Sequence, residues 1–295
     1  MKSLLTAVLA AVVVMGTTAC TKEESIQIVK EEEKADSQRV VDAGQWKEGR
    51  FAFADESGTK LLTTNNDGAA NEDQDKLKGL NRAIGAGGQI VSVRYIGAQQ
   101  ATDQDNGRQT AGNFANLAGD LFELTEGQAE ANETYFLLPD AVLPKEALLT
   151  VTVKSDRTVD AAITKQIEKQ KERKIESIWA IAEVGEEHPR TIYVMQFVRQ
   201  DNDMLASLAV ERQDGTLLFQ DYPAEYDEFS TWRVDDGGEI SEGMFSILLA
   251  AKTGSGLLLG VKWMGAEGEN VFFLQQQEDK LQDIGLRDGR YMSPI

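Results

Sequence analysis

Two residues limit the chemistry open to this chain: Cys20, its only cysteine, and His188, its only histidine. Nucleophilic catalysis of the Ser-His-Asp or Cys-His kind needs an imidazole base beside the nucleophile. Only His188 is available, in Gly185-Glu186-Glu187-His188-Pro189, a polar stretch that reads as a hairpin loop before a strand. No Gly-x-Ser-x-Gly elbow accompanies it, so a surface-loop histidine is the expectation. With a single imidazole and a single thiol, zinc and copper sites of the usual type are not expected. Carboxylates remain, 49 Asp and Glu against 30 Lys and Arg. A calcium loop places oxygen ligands at alternating positions, with Gly sixth and Glu twelfth. Asp103-Gln104-Asp105-Asn106-Gly107 brings its Gly one place early and has Phe114 where the Glu belongs. Asn71-Glu72-Asp73-Gln74-Asp75 has Lys76 in the Gly position. Both are expected to be solvated loops. A glycosidase-type pair of acids is compatible with this many carboxylates, but sequence spacing does not pair them. Gly254-Ser255-Gly256, with Gly260 beyond, is followed by a strand pattern rather than a helix, and so suits a hairpin turn better than a phosphate loop. No catalytic, cofactor-binding or metal-ligating residue is assigned, and no cofactor is expected.

The surroundings of Cys20 are more specific. Lys2 precedes the apolar run Leu4–Met15, and the small residues Gly16-Thr17-Thr18-Ala19 follow. This is the layout of a secretory signal. The run is shorter than the roughly 20 residues that cross a bilayer comfortably. Ending in Cys20, the segment resembles the bacterial lipobox of membrane lipoproteins. Ala19 fits the place before the cysteine, and Thr17 departs from the usual Leu. The resemblance implies a signal peptide over 1–19, a diacylglyceryl group on the Cys20 thiol, and Cys20 as the first mature residue. It implies a chain anchored in a bacterial cell membrane and facing away from the cytoplasm. Two acyl chains anchor stably where one is marginal. A lone cysteine has no internal disulfide partner, which fits a thiol used in this way.

The formal charge of −19 disfavours nucleic acid as a partner, because phosphate backbones would be repelled. It also repels an anionic lipid surface, so membrane attachment rests on the anchor at Cys20.

Three regions follow the signal. Residues 20–44 are rich in Lys and Glu and read as a solvated, charged tether. Residues 45–154 read as a β-rich domain, with strands expected at 50–54, 60–62, 89–96, 121–124, 135–138 and 147–153, and long polar loops at 65–76 and 99–113. Residues 155–295 read as one prominent helix over 157–176, then an antiparallel meander at 178–184, 191–199, 204–212, 216–221, 244–251, 257–264 and 270–277. A slide of 53 residues lays 177–221 on 230–274 in matching phase, which suggests a duplicated four-stranded unit. Val234–Glu239 faintly resembles the Asp/Gly-rich loops of integrin-type propeller repeats, without their calcium spacing. Trp179, Trp232 and Trp263 are expected in strands and in the core, and Trp46 at the surface.

The fold class expected is therefore mainly β with one prominent helix (α+β). The function expected is a non-catalytic binding or interaction module of the cell envelope, with an envelope protein or glycan as partner. The alternatives are a carboxylate-based hydrolase of envelope glycans and a purely structural envelope protein. Two close acids in a cleft, one with a raised pKa, would favour the hydrolase. An exposed apolar patch would favour the module.

Overall fold

Strand β1 (Arg50–Ala54) shows why alternation is a poor guide to the first half of the chain. Its phenylalanines and alanines are all buried. Ala52 and Ala54 point to one core, whereas Phe51 and Phe53 pack into others on the opposite face. A strand covered on both sides loses the apolar–polar alternation of a half-buried one.

The computed structural model describes residues 40–63 and 74–292. The signal-like segment, Cys20, the tether as far as residue 39 and residues 65–73 of the first polar loop lie outside the described residues. Within the compact unit Arg39–Ile295 the chain is mainly antiparallel β. β1 is joined by β2 (Lys60–Thr63), a short helix α1 (Gln74–Gly79), β3 (Arg82–Gly85), β4 (Gln89–Gln99), β5 (Gly119–Glu126) and β6 (Thr134–Leu138). These six strands close into a barrel in the order β1-β2-β5-β4-β3-β6. Small Ala52, Ala54 and Ala83 leave room inside for Phe122, Tyr135, Leu61 and Leu137. β3 was not expected. Arg82-Ala83-Ile84-Gly85 offers only two apolar residues, and the barrel rather than local propensity makes it a strand.

Two five-stranded sheets follow. The first runs β12-β11-β10-β9-β8 and the second β16-β15-β14-β13-β7. The expected strand at 147–153 is divided between them. β7 (Leu148–Leu149) pairs with β13 (Phe245–Thr253), whereas β8 (Val151–Val153) pairs with β9 (Ile175–Val184). The remaining strands are β10 (Arg190–Phe197), β11 (Asp203–Glu211), β12 (Leu217–Glu225), β14 (Gly256–Gly265), β15 (Gly268–Gln277) and β16 (Lys280–Tyr291). β16 was also not expected. Its apolar residues Leu281, Ile284 and Leu286 break phase at Gly285, whose φ of +76° suits glycine. Gly254-Ser255 does form the β13–β14 turn.

Side chains from the two sheets interdigitate, Ile192, Val194, Leu208 and Val210 from one against Leu257, Leu259, Val261 and Leu274 from the other. Helix α2 (Ala161–Lys171) covers the outer face of the first sheet, placing Ile167 against Met195, Phe197 and Ala209. It is shorter than the expected 157–176. Asp160 caps it by accepting from the Ala162 amide, and Glu172 ends it in the left-handed region at φ 52°. The barrel packs on the outer face of the second sheet. Trp46, Phe51 and Phe136 meet Leu248, Leu249 and Phe273 there.

Several expectations shift for this reason. Trp46 is fully buried, donating its indole N–H to the Val142 carbonyl at 3.1 Å. Val41 and Ala43 are buried too, so the end of the expected tether belongs to the folded body. Trp232 lies in a loop, not a strand. The 53-residue slide brings β10 onto β13, which hold different places in their sheets. By place, β13 corresponds to β9, each flanked by a short strand of the crossing segment. Strand-and-turn units of similar length keep phase when shifted by one strand.

Candidate functional site

The longest helix-free connection in the double sheet, residues 226–244, runs from β12 to β13. The sequence reads there as an Asp/Gly-rich loop, and three side chains fix it. The Asp236 carboxylate accepts from the backbone N–H groups of Thr231, Trp232, Gly238 and Arg233. Burial alone would raise its pKa, but these hydrogen bonds outweigh burial and hold it below the ordinary value. An acid so employed has little left for a metal. Arg233 donates to the carbonyls of Trp263 at 2.8 Å and Gly268 at 3.0 Å, clamping the loop to the β14–β15 hairpin. Gln196, buried on β10, donates to the Gly238 carbonyl at 3.0 Å and accepts from the Ile240 amide at 2.7 Å.

The fixed loop and the hairpin enclose a groove of about 350 Å³, lined by Val234, Ile240, Met244, Trp263 and Met264 among others. Its lining is largely apolar. Val234 and Met264 at its rim are 49% and 37% exposed, and Phe229 on the same loop is 68% exposed. A large apolar side chain left in water on a loop held this firmly costs free energy that a covering partner would recover.

A second cavity, about 330 Å³, shares Arg233 and Val234 with the groove and reaches Glu269 and Arg290. Both of these charges are buried. Arg290 donates to Glu269 Oε1 at 2.9 Å, to the Asn132 carbonyl at 2.8 Å and to the Gln109 carbonyl at 3.2 Å. Thr134 donates to Glu269, and Lys262 bridges Glu133 and Glu269. Burial pushes the Glu269 carboxyl up, but Arg290, Lys262 and the hydrogen bonds outweigh that and hold it below its ordinary value. The cluster joins barrel loops to β14, β15 and β16. It reads as a polar latch beneath the groove. Gly268 beside it, at φ +152°, lies where an added Cβ would meet the Arg290 carbonyl at 1.9 Å, so the strands approach as only glycine allows.

The remaining sequence candidates lie elsewhere. His188 is exposed in the β9–β10 hairpin loop. Asp105 accepts from the Gly107 amide and the Asn113 side chain, and Asn106 accepts from the Arg108 amide, so this acidic run builds turns. Asn71–Asp73 lies outside the described residues. Among the described residues no group of three or more His, Cys, Asp or Glu is placed to hold a metal ion. Every described carboxylate with a shifted pKa is shifted down: Asp55, Asp156, Glu168, Asp214, Asp227, Asp236 and Glu269. A glycosidase acid requires the opposite shift. The groove residues were not found from sequence. Asp236 and Gly237-Gly238 mark a loop, but nothing local indicates that Gln196 and Arg233 fasten it.

Compared with family models, curated proteins and solved structures, the chain matches none.

Proposed function

We propose that this chain is a lipid-anchored, extracytoplasmic binding module of the bacterial cell envelope, held through Cys20 and engaging an envelope protein with the groove at Val234 and Met264. The observation that carries the reading is the pairing of a largely apolar groove with a loop fixed by Asp236, Arg233 and Gln196. A preformed site loses little conformational entropy on binding. Aliphatic and thioether rims suit an apolar side chain of a protein better than a glycan. A sugar platform needs an open aromatic face, whereas Trp263 is buried and Trp232 is half-buried, its N–H donated to the Tyr222 carbonyl. The lipid anchor rests on the lipobox resemblance at Ala19-Cys20.

The test compares native chain, Cys20→Ser and Met264→Asp by cross-linking in intact cells, membrane fractionation and mass spectrometry. Native chain should be membrane-bound, carry acyl mass on Cys20 and capture one protein. Cys20→Ser should leave the membrane fraction, and Met264→Asp should stay there but lose the capture. A Cys20→Ser chain of unchanged location and mass would remove the anchor from the account. Unchanged capture by Met264→Asp would remove the groove.

A further inference from the structure

At the β9–β10 hairpin, a third cavity opens where the chain crosses from one sheet to the other. It measures about 380 Å³ and shares no lining residue with the groove. Its lining brings together both signs of charge: Arg190 and Lys252, with Glu186 and Glu187. Leu148 and Leu149 supply apolar wall. A chain with 49 acids and 30 bases has carboxylates to spare for its cations. Yet among the described residues the guanidinium of Arg190 makes no ion pair or hydrogen bond, and neither does the Lys252 ammonium. Among the same residues Glu187 has no partner either, and Glu186 accepts only from the Thr150 hydroxyl, at 2.7 Å. Arg190 is half-buried. Burial holds it below its ordinary pKa, and no carboxylate charge offsets that. The contrast with Arg290, which is satisfied on every side, is direct.

Opposite charges that share a cavity without pairing suit a ligand that carries both. We propose that this cavity binds a small zwitterion of the amino-acid or short-peptide class, its carboxylate on Arg190 and Lys252 and its ammonium on Glu187 and Glu186. The planar guanidinium fork fits a carboxylate with two parallel hydrogen bonds. The cavity volume falls in the range of small-molecule sites. The glutamates repel a phosphate dianion, which would meet two like charges for its two opposite ones.

His188 lines the same cavity and is the only histidine, so its imidazole resonance is a reporter that no other residue confuses. The full chain, labelled with 13C-histidine, is titrated at fixed pH and ionic strength with the dipeptide Ala-Ala, with acetate and with inorganic phosphate. Ala-Ala should shift the His188 resonance saturably, and acetate should bind at least about tenfold more weakly. Arg190→Gln should weaken Ala-Ala by about tenfold or more. Glu187→Gln changes only an exposed side chain, so the fold is not at risk. It should weaken Ala-Ala but not acetate. A resonance that Ala-Ala leaves unmoved at millimolar concentrations overturns the proposal. So does phosphate or acetate binding as tightly as Ala-Ala, which would mean a simple anion site. An Ala-Ala affinity unchanged in Arg190→Gln overturns it too.

Discussion

The barrel and the double sheet are both antiparallel β, yet they present different surfaces. The six barrel strands pair all the way round and leave no edge. The Asp55 turn at one end is closed on itself, its carboxylate accepting from Ser57, Thr59 and Lys60. The double sheet has four edge strands, β12 and β8 in one sheet and β16 and β7 in the other, and carries the long loop 226–244 with the apolar groove. The two regions divide the labour. The barrel braces the second sheet through the Trp46 cluster and the Glu269 latch, and the double sheet carries the apolar groove and the charged cavity proposed as binding surfaces.

The bracing role can be broken at Trp46. Trp46→Ala removes a fully buried ring that contacts Phe136 at 5.9 Å and Phe273 at 5.5 Å between centroids. The expected loss is about 3–5 kcal/mol, read by denaturant unfolding. A loss under about 1 kcal/mol would mean that the barrel is an appendage rather than a brace.

Glu269→Gln comes next, at about 3 kcal/mol, because Arg290 and Lys262 are left with less compensating charge in a buried site. The pH dependence has a definite sign. The folded pKa of Glu269 lies below its ordinary 4.5. Its contribution is therefore present above that value and is lost as pH falls through the depressed folded value. The melting-temperature gap between native chain and variant should be constant near neutrality and narrow in acid. A gap that widens in acid would contradict the latch.

Asp236→Ala should cost about 1–3 kcal/mol by freeing four backbone donors. Hydrogen exchange should quicken over 229–240 while the barrel strands stay protected. Equal loss of protection in both regions would erase the proposed distinction between them.

The smallest expected stability effects test the opposite sign. Among the described residues the buried Tyr222 hydroxyl has no hydrogen-bond partner, and burial pushes its pKa up. Tyr222→Phe should leave stability unchanged or raise it by up to about 1 kcal/mol in thermal melts. A marked destabilisation would show that the hydroxyl is satisfied in solution.

The strands of the double sheet were largely legible as apolar runs bounded by polar turns, because β10, β13 and β14 are buried on both faces. Five of the six barrel strands were legible too, β1 at its observed bounds. β3 was not, because it offers little apolar signal of its own and takes its place between β4 and the distant β6. Trp46 precedes a β run and reads as a residue open to solvent, because its partners Phe136 and Phe273 lie 90 and more residues away. The groove was illegible for the same reason. Asp236 and its glycines announce a turn, but Gln196 and Arg233 acquire their roles only when β10 and the β14–β15 hairpin come together. The Glu269–Arg290 pair is likewise a product of strand pairing between β15 and β16, the latter a strand whose phase breaks at Gly285.

The most direct test places one photo-cross-linking residue at a time in the full chain in living cells. Met264 at the groove rim and Ile96 on the barrel are 37% and 42% exposed. Similar exposure makes them a fair pair. The account predicts that the probe at 264 captures one reproducible envelope protein and the probe at 96 captures none. Capture of the same protein with equal yield from both positions, or from 96 alone, would contradict it.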